Sequence, residues 1–329
     1  MPEITDSFLR DQLLVRRERL ESAARAATPP EAIVRLLDEV DSALARMEAG
    51  TYGLCDSCHD PIERDRLLAD PLVKLCLDHL NSQQRRELEE DLQLASELQR
   101  ELLPEANLRF GGWTASYHYQ PLGLVSGDYC DFLVSENDSE NIVFAVGDVA
   151  GKGVAASLLM SQLHAILRTL TPTALAPHAL VERAGRIFCE ATMSNFFATL
   201  IYGRADSAGC VELCNAGHCP ALLVRQGNVT RLEATGVPLG MFAEGTYATQ
   251  QLRMIPGDTL FLYTDGVSEA RSTADEEYGE HRLMNLLQQH QSLPPEALIR
   301  AGLEDLRAFR SGQPLLDDLT VLALQRTSA

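Results

Sequence analysis

Apolar residues recur at helical spacing over the first hundred positions and at strand spacing after that. Leu9, Leu13, Leu14 and Leu20 fall on one side of a helix expected over 7–26; Ile33, Leu36, Leu37, Val40 and Leu44 do the same over 31–49. Between them, Thr28-Pro29-Pro30 stops one helix and restarts the next, which predicts a short antiparallel hairpin. A third helix is expected over 81–103, ended by Pro104. Its Leu88, Leu92, Ala95, Leu98 and Leu102 follow a coiled-coil seam between charged residues. So narrow a seam predicts pairing with a second copy of the chain, with packing on the chain's own next domain as the alternative.

From about residue 108 the period shortens. Strands are expected at 112–119, 129–134, 141–147, 196–204, 209–214, 220–225, 247–253, 259–264 and 318–325, and helices at 153–169, 176–192, 280–290 and 295–309. Gln226-Gly227-Asn228 is a hairpin cue joining two strands. Because strands arrive in consecutive groups, antiparallel sheets are favoured over a doubly wound parallel one. The fold class expected is α+β: an antiparallel β-sandwich flanked by helices, preceded by a helical hairpin, a small metal-binding module and a connector helix. The expected divisions are 1–80, 81–104 and 105–329.

Composition narrows the function. The 329 residues carry a net charge of −19 with the acid spread along the chain, so the surface repels nucleic acid and anionic membranes, and no basic run compensates. No apolar stretch approaches twenty residues, and Met1-Pro2-Glu3-Ile4-Thr5-Asp6 lacks the basic start and apolar core of a secretory signal. A cytoplasmic location is expected. Of eight cysteines, Cys130, Cys189, Cys210, Cys214 and Cys219 are scattered through apolar segments and read as buried, reduced thiols.

The other three cluster. Cys55-Asp56-Ser57-Cys58 followed by Cys76-Leu77-Asp78-His79 is a C-x2-C and C-x2-H pair at zinc-site separation. One Zn²⁺ held by Cys55, Cys58, Cys76 and His79 is expected, with His59 as a less regular ligand and a metal-free apolar mini-core as the bland alternative. Ala43-Leu44-Ala45-Arg46-Met47-Glu48-Ala49-Gly50-Thr51-Tyr52-Gly53 leading into Cys55 resembles the DksA/TraR zinc-finger family over roughly 35–80. That family typically has four cysteines, whereas His79 stands at the last position here. Its long-armed members enter the secondary channel of RNA polymerase and present acids at the arm tip. This hairpin is short and tipped by Ala26-Ala27-Thr28-Pro29-Pro30, so a structural or sensory module is the favoured reading and polymerase binding the alternative.

Four aspartates sit at the ends of apolar runs beside glycine or another turn residue: Asp128, Asp148, Asp265 and Asp317. Converging carboxylates repel one another unless a hard cation lies between them, and such oxygens suit Mg²⁺ or Mn²⁺. Gly147-Asp148-Val149-Ala150-Gly151-Lys152-Gly153 is not a phosphate loop: too few residues separate its glycines, and no hydroxyl residue follows Lys152. Taken in order, Ala95 to Pro104, Ser126-Gly127-Asp128-Tyr129-Cys130-Asp131, the Gly147 segment, Asn215-Ala216-Gly217-His218, Pro238-Leu239-Gly240, Tyr263-Thr264-Asp265-Gly266 and Asp317-Asp318-Leu319-Thr320 resemble the type 2C (PPM) metal-dependent serine/threonine phosphatases of the SpoIIE/RsbU-like branch, over about 90–326.

The resemblance implies a site. Asp148 bridges two Mn²⁺ or Mg²⁺ ions, Asp265 and Asp317 hold one, the Val149 carbonyl helps hold the other, and Asp128 binds that ion directly or through its waters. A bridging water attacks phosphorus in line, so Cys130 is not needed as a nucleophile. Asp131 and Asp318 are expected to be supporting or structural, and His218 to serve a turn. The substrate implied is phosphoserine or phosphothreonine on an anti-sigma-factor antagonist in a partner-switching pathway. A non-catalytic regulator that binds RNA polymerase through the finger, and a scaffold that binds the phosphoprotein without turnover, are the competing readings.

Overall fold

The computed structural model describes residues 3–24, 31–79, 82–134, 141–173, 175–192, 196–242 and 245–327. The Thr28-Pro29-Pro30 break and the hairpin tip lie outside them, as does residue 81 at the start of the expected connector. The chain forms two compact units, residues 1–91 and 92–329.

In the first unit, α1 (Glu3–Ala24) packs on α2 (Glu31–Glu48). Leu13 meets Val40 and Ala43, with Leu20, Leu44 and Met47 around them. Leu14 was expected on this face but is 43% exposed. At 100° per residue it lies beside the Leu9 and Leu13 row rather than on it. Two turns of chain, a short helix α3 (Arg64–Ala69) and a 3-10 turn at Leu77–His79 complete the unit. Their core is Leu9, Cys55, Ile62, Leu67 and Cys76. Helix α4 (Ser82–Glu101) carries the division between the units.

The second unit is a sandwich. Strands β1 (Asn107–Phe110), β2 (Trp113–Gln120), β3 (Asp128–Val134), β4 (Asn141–Val149), β5 (Ala198–Asp206), β6 (Cys210–Ala216), β7 (Ala221–Arg225), β8 (Asn228–Leu232), β9 (Gln250–Arg253), β10 (Thr259–Tyr263) and β11 (Leu319–Arg326) form two sheets. One has order β1-β2-β11-β10-β7-β8 and the other β3-β4-β5-β6-β9. Every strand pairing is antiparallel. Between the sheets lie Phe132, Phe144, Val146, Ile201, Leu213, Leu260, Leu262 and Leu322. Helices α5 (Gly153–Leu170) and α6 (Pro177–Ala191) cover the five-stranded sheet, where Val143, Ala145 and Leu200 meet Met160, Leu163, Leu180 and Phe188. Helices α8 (Glu280–Gln289) and α9 (Pro295–Arg310) cover the six-stranded sheet, where Phe261 and Val321 meet Leu283, Leu287, Leu298 and Ile299.

Alternation in β4 explains the layering. Phe144 and Val146 point between the sheets and Val143 and Ala145 toward the helices, so both faces are dry. Each such large side chain contributes roughly 1.5–3 kcal/mol by leaving water. Strand β10 is buried at all five positions for the same reason.

Of the expected seam residues on α4, Leu88, Leu92, Ala95 and Leu102 are half-buried and Leu98 is open. Leu98 is 61% exposed and Leu94 55% exposed, while Ser96 and Gln99 are buried. Polar groups can be buried when their hydrogen bonds are met, and those of Gln99 are. Its Nε2 donates to Ser126 O at 2.7 Å, and its Oε1 accepts from Ser126 N at 3.0 Å.

Candidate metal centres

The sandwich brings four strand ends to one edge. Asp128 opens β3, Asp148 is the penultimate residue of β4, and the two are Cα partners across that ladder. On the facing sheet, β10 pairs with β11, Tyr263 opposite Val321, so the chain leaving β10 and the chain entering β11 share an end. Asp265 was expected to end the β10 strand. It instead opens a one-turn helix α7 (Asp265–Ser268), with Thr264 between. Gly266 makes that turn possible: a Cβ there would collide with the Asp318 carbonyl.

Asp128 ties the two sheets together. It is 2% exposed, and its Oδ2 accepts hydrogen bonds from Thr264 Oγ1 at 2.9 Å and Thr320 Oγ1 at 2.5 Å, both from the facing sheet. Ser126 Oγ accepts the Asp128 amide at 3.0 Å. Asp318 holds the preceding loop, accepting from Leu122 N at 2.7 Å and Gly127 N at 2.9 Å. The Val149 carbonyl oxygen lies beside Gly127, where a Cβ would stand only 3.0 Å away.

The electrostatics of the cluster favour a cation among these acids. Burial, then the charges of Asp265, Asp317 and Asp318, push the Asp148 carboxyl up to about 8, with Lys152 opposing. Asp128 is raised by burial and by Asp148, and Asp265 by burial and by Asp317. Carboxyls that resist ionisation because their neighbours are charged are released from that penalty by a divalent ion. The donor set, all oxygen, fits Mn²⁺ or Mg²⁺ and not a soft metal.

Asp131 stands apart from this edge. It accepts Arg168 Nε at 2.7 Å and Nη2 at 3.0 Å, and Tyr129 Oη at 3.0 Å. His218 is buried and held at about 4 by that burial. Its amide donates to Asn215 Oδ1 at 2.8 Å, and its Nδ1 lies 2.7 Å from Thr199 Oγ1, which also lies 3.4 Å from the Asp148 carbonyl oxygen. Cys130 is fully buried, and its thiol is raised by burial, so it is no nucleophile. Thr264, Thr320, Gln99 and Lys152 escaped the reading of the sequence as site residues. All four lie within the motifs named above, but only the fold aims the polar atoms of Thr264, Thr320 and Lys152 at an acid and those of Gln99 at the Ser126 backbone.

In the first unit, Cys55, Cys58, Cys76 and His79 offer ligand atoms all within 4.8 Å of one another. Cys58 Sγ and Cys76 Sγ are 3.8 Å apart, and Cys76 Sγ is 3.1 Å from His79 Nδ1. A Zn–S bond of about 2.3 Å places two sulfurs of a tetrahedron about 3.8 Å apart. The residues therefore fit Zn²⁺, with His79 rather than His59 in the cluster.

An antiparallel two-sheet sandwich, helices on both outer faces and acids converging at one edge, is the PP2C-type phosphatase fold. The SiaA-PP2C domain of Pseudomonas aeruginosa matches it with a TM-score of 0.63 at 20% identity, over 73% of this chain and 97% of that one. The chain belongs to the Stage II sporulation protein E (SpoIIE) family, whose model matches residues 138–327. The prokaryotic dksA/traR C4-type zinc-finger model matches residues 50–78. Protein IcfG of Synechocystis sp. is 29% identical over 72% of this chain, and phosphoserine phosphatase RsbU of Bacillus subtilis 27% identical over 74%. The chain spans 41% of IcfG and 72% of RsbU.

Proposed function

We propose that this protein is a Mn²⁺- or Mg²⁺-dependent serine/threonine phosphatase. The observation that carries the reading is the convergence of Asp128, Asp148, Asp265 and Asp317 at one sandwich edge, where burial and then neighbouring carboxylates push up Asp128, Asp148 and Asp265. Asp148 would bridge two ions, Asp265 and Asp317 hold one, and Asp128 with the Val149 carbonyl serve the other. When bound, such ions acidify water and offset charge on phosphoryl oxygens. The chain's own part is positional. Thr264 and Thr320 fix Asp128, Asp318 fixes the Gly127 loop, and Thr199 supports the strand that carries Asp148.

The substrate is a cytoplasmic phosphoserine or phosphothreonine protein, an anti-sigma-factor antagonist in a partner-switching pathway. Likeness to RsbU, named a phosphoserine phosphatase, supports this. Residues 1–80 form the zinc module that regulates it, 81–104 the connector and 105–329 the phosphatase. The grip of Gln99 on Ser126, two residues before Asp128, supports a path from connector to metal site. Exposed Leu94 and Leu98 support pairing of two copies along α4. Hydrolysis of a phosphopeptide in Mn²⁺ by the full chain tests the reading. Turnover that survives both Asp148→Ala and metal removal refutes it. Deleting residues 1–80 without any change in basal or stimulated turnover refutes the regulatory part.

A further inference from the structure

The acid cluster already holds a cation of its own. Lys152 Nζ lies 2.8 Å from Asp317 Oδ2 and 2.6 Å from the Leu316 carbonyl oxygen. Its charge also reaches Asp148 and Asp265, whose carboxyls it stabilises in the ionised form. It is the cation beside both Asp148 and Asp265, where the other charged neighbours are carboxylates.

We propose that Lys152 is a resident counter-ion, whose ammonium competes with the divalent ion for Asp317 and yields the carboxylate when that ion binds. The proposal rests on the metal-centre reading above. An Asp317 oxygen engaged by an N–H donor at 2.8 Å cannot direct the same lone pair at a metal. Oδ2 keeps a second lone pair, so what opens the pair is repulsion between the divalent ion and the ammonium that would share this oxygen.

Opening is easy for this pair and hard for another acid in the same domain. The side chains of Lys152 and Asp317 are 53% and 35% exposed, so water can take over both partners at little cost. A lysine also carries its charge on a flexible stem as a single point. Asp131, by contrast, is 4% exposed and locked by two parallel bonds from Arg168. A planar fork on a buried carboxylate is built to stay. The metal edge thus carries an exchangeable cation, and the structural site a fixed one.

The consequence is an order of binding. The ion held by Asp265 and Asp317 is the weaker of the two, because it must first displace Lys152. The test is calorimetric titration of Mn²⁺ into the full chain as wild type, Lys152→Met, Asp317→Asn and the double variant. Lys152→Gln serves as a second neutral substitution. Removing the ammonium should tighten the weaker Mn²⁺ event by about 1.5-fold to fivefold, the range an exposed ion pair commands. It should leave the tighter event in place, and the gain should vanish in the Asp317→Asn background. Unchanged or weaker Mn²⁺ binding in both neutral variants overturns the proposal. So does an equal gain without Asp317, which would mark a general field effect and not competition for that carboxylate. If wild type and Asp148→Asn bind Mn²⁺ alike, the metal-centre reading itself fails, whatever Lys152 does.

Discussion

Asp128 faces Asp148 across the β3–β4 ladder, and two threonine hydroxyls from the other sheet hold Asp128 in place. Like charges opposed on adjacent strands destabilise a sheet unless a cation serves both. The pairing is therefore a cost to the metal-free protein, accepted at the place where chemistry is done.

Asp148→Asn removes that charge while keeping the shape. The metal-free protein should gain about 1–3 kcal/mol of stability, less than the full shift implies because the group is only partly buried. Phosphatase turnover should fall by on the order of 10³-fold, as for loss of a group aimed at transition-state charge. Paired chemical denaturation and phosphopeptide assays check both. A variant that is both less stable and still active would contradict the assignment.

The pH dependence of the metal-free protein has a definite sign. Asp148 titrates at 3.8 when unperturbed and at about 8 in the folded chain. Stability from this group is complete below the unfolded value and is lost as pH rises through the folded one. The metal-free melting temperature should thus fall between those two pH values, and saturating Mn²⁺ should remove the fall. Near pH 7, Mn²⁺ binding should also release about one proton from Asp148. Binding enthalpies compared in buffers of different ionisation heat would reveal it.

Zinc removal should act on the first unit alone. The buried cluster around the expected zinc site is, among the described residues, Leu9, Cys55, Ile62, Leu67 and Cys76, and the two cysteines belong to the metal-binding group themselves. Without the ion, residues 50–79 should lose protection from hydrogen exchange while the sandwich keeps its own. Cys58→Ser should reproduce the loss, and His79→Cys should retain a bound zinc by metal analysis.

Gln99→Met keeps the length of the side chain and removes both hydrogen bonds to Ser126. Leaving that buried amide and carbonyl unmet should cost about 1–3 kcal/mol. Because Ser126 Oγ accepts the Asp128 amide, Mn²⁺ affinity should weaken as well, by about twofold to tenfold if half of that loss falls on the loop. Titration of Mn²⁺ separates this outcome from a purely structural defect, which would lower the melting temperature and leave affinity untouched.

Much of this fold is written in local pattern. Strands such as β4 and β10 and helices α5, α6, α8 and α9 follow from runs of apolar residues long enough to fix their period. Strand β1 is not among the expected strands, and β8 is expected only as the second arm of the hairpin turned at Gln226-Gly227-Asn228, where it does pair with β7. Both lie at sheet edges with mostly exposed residues, so neither has a buried face to advertise. Helix α7 is a single turn imposed by the close approach of Gly266 to Asp318, a contact across about fifty residues of chain. The seam of α4 read as a leucine row, yet Gln99 is what the domain buries, because Ser126 offers its amide two partners.

The sequence by itself determined most of the element types and pointed to two metal chemistries. Thiolate-rich spacing and glycine-flanked acids depend on side-chain chemistry, which is local. Tertiary structure alone decided which polar atoms support those residues. Thr264 and Thr320 reach Asp128 only because two sheets pack face to face. Lys152 reaches Asp317 only because β4 and β11 end at one edge. Such contacts join positions more than a hundred residues apart, and no periodicity along a chain records what folding brings alongside it.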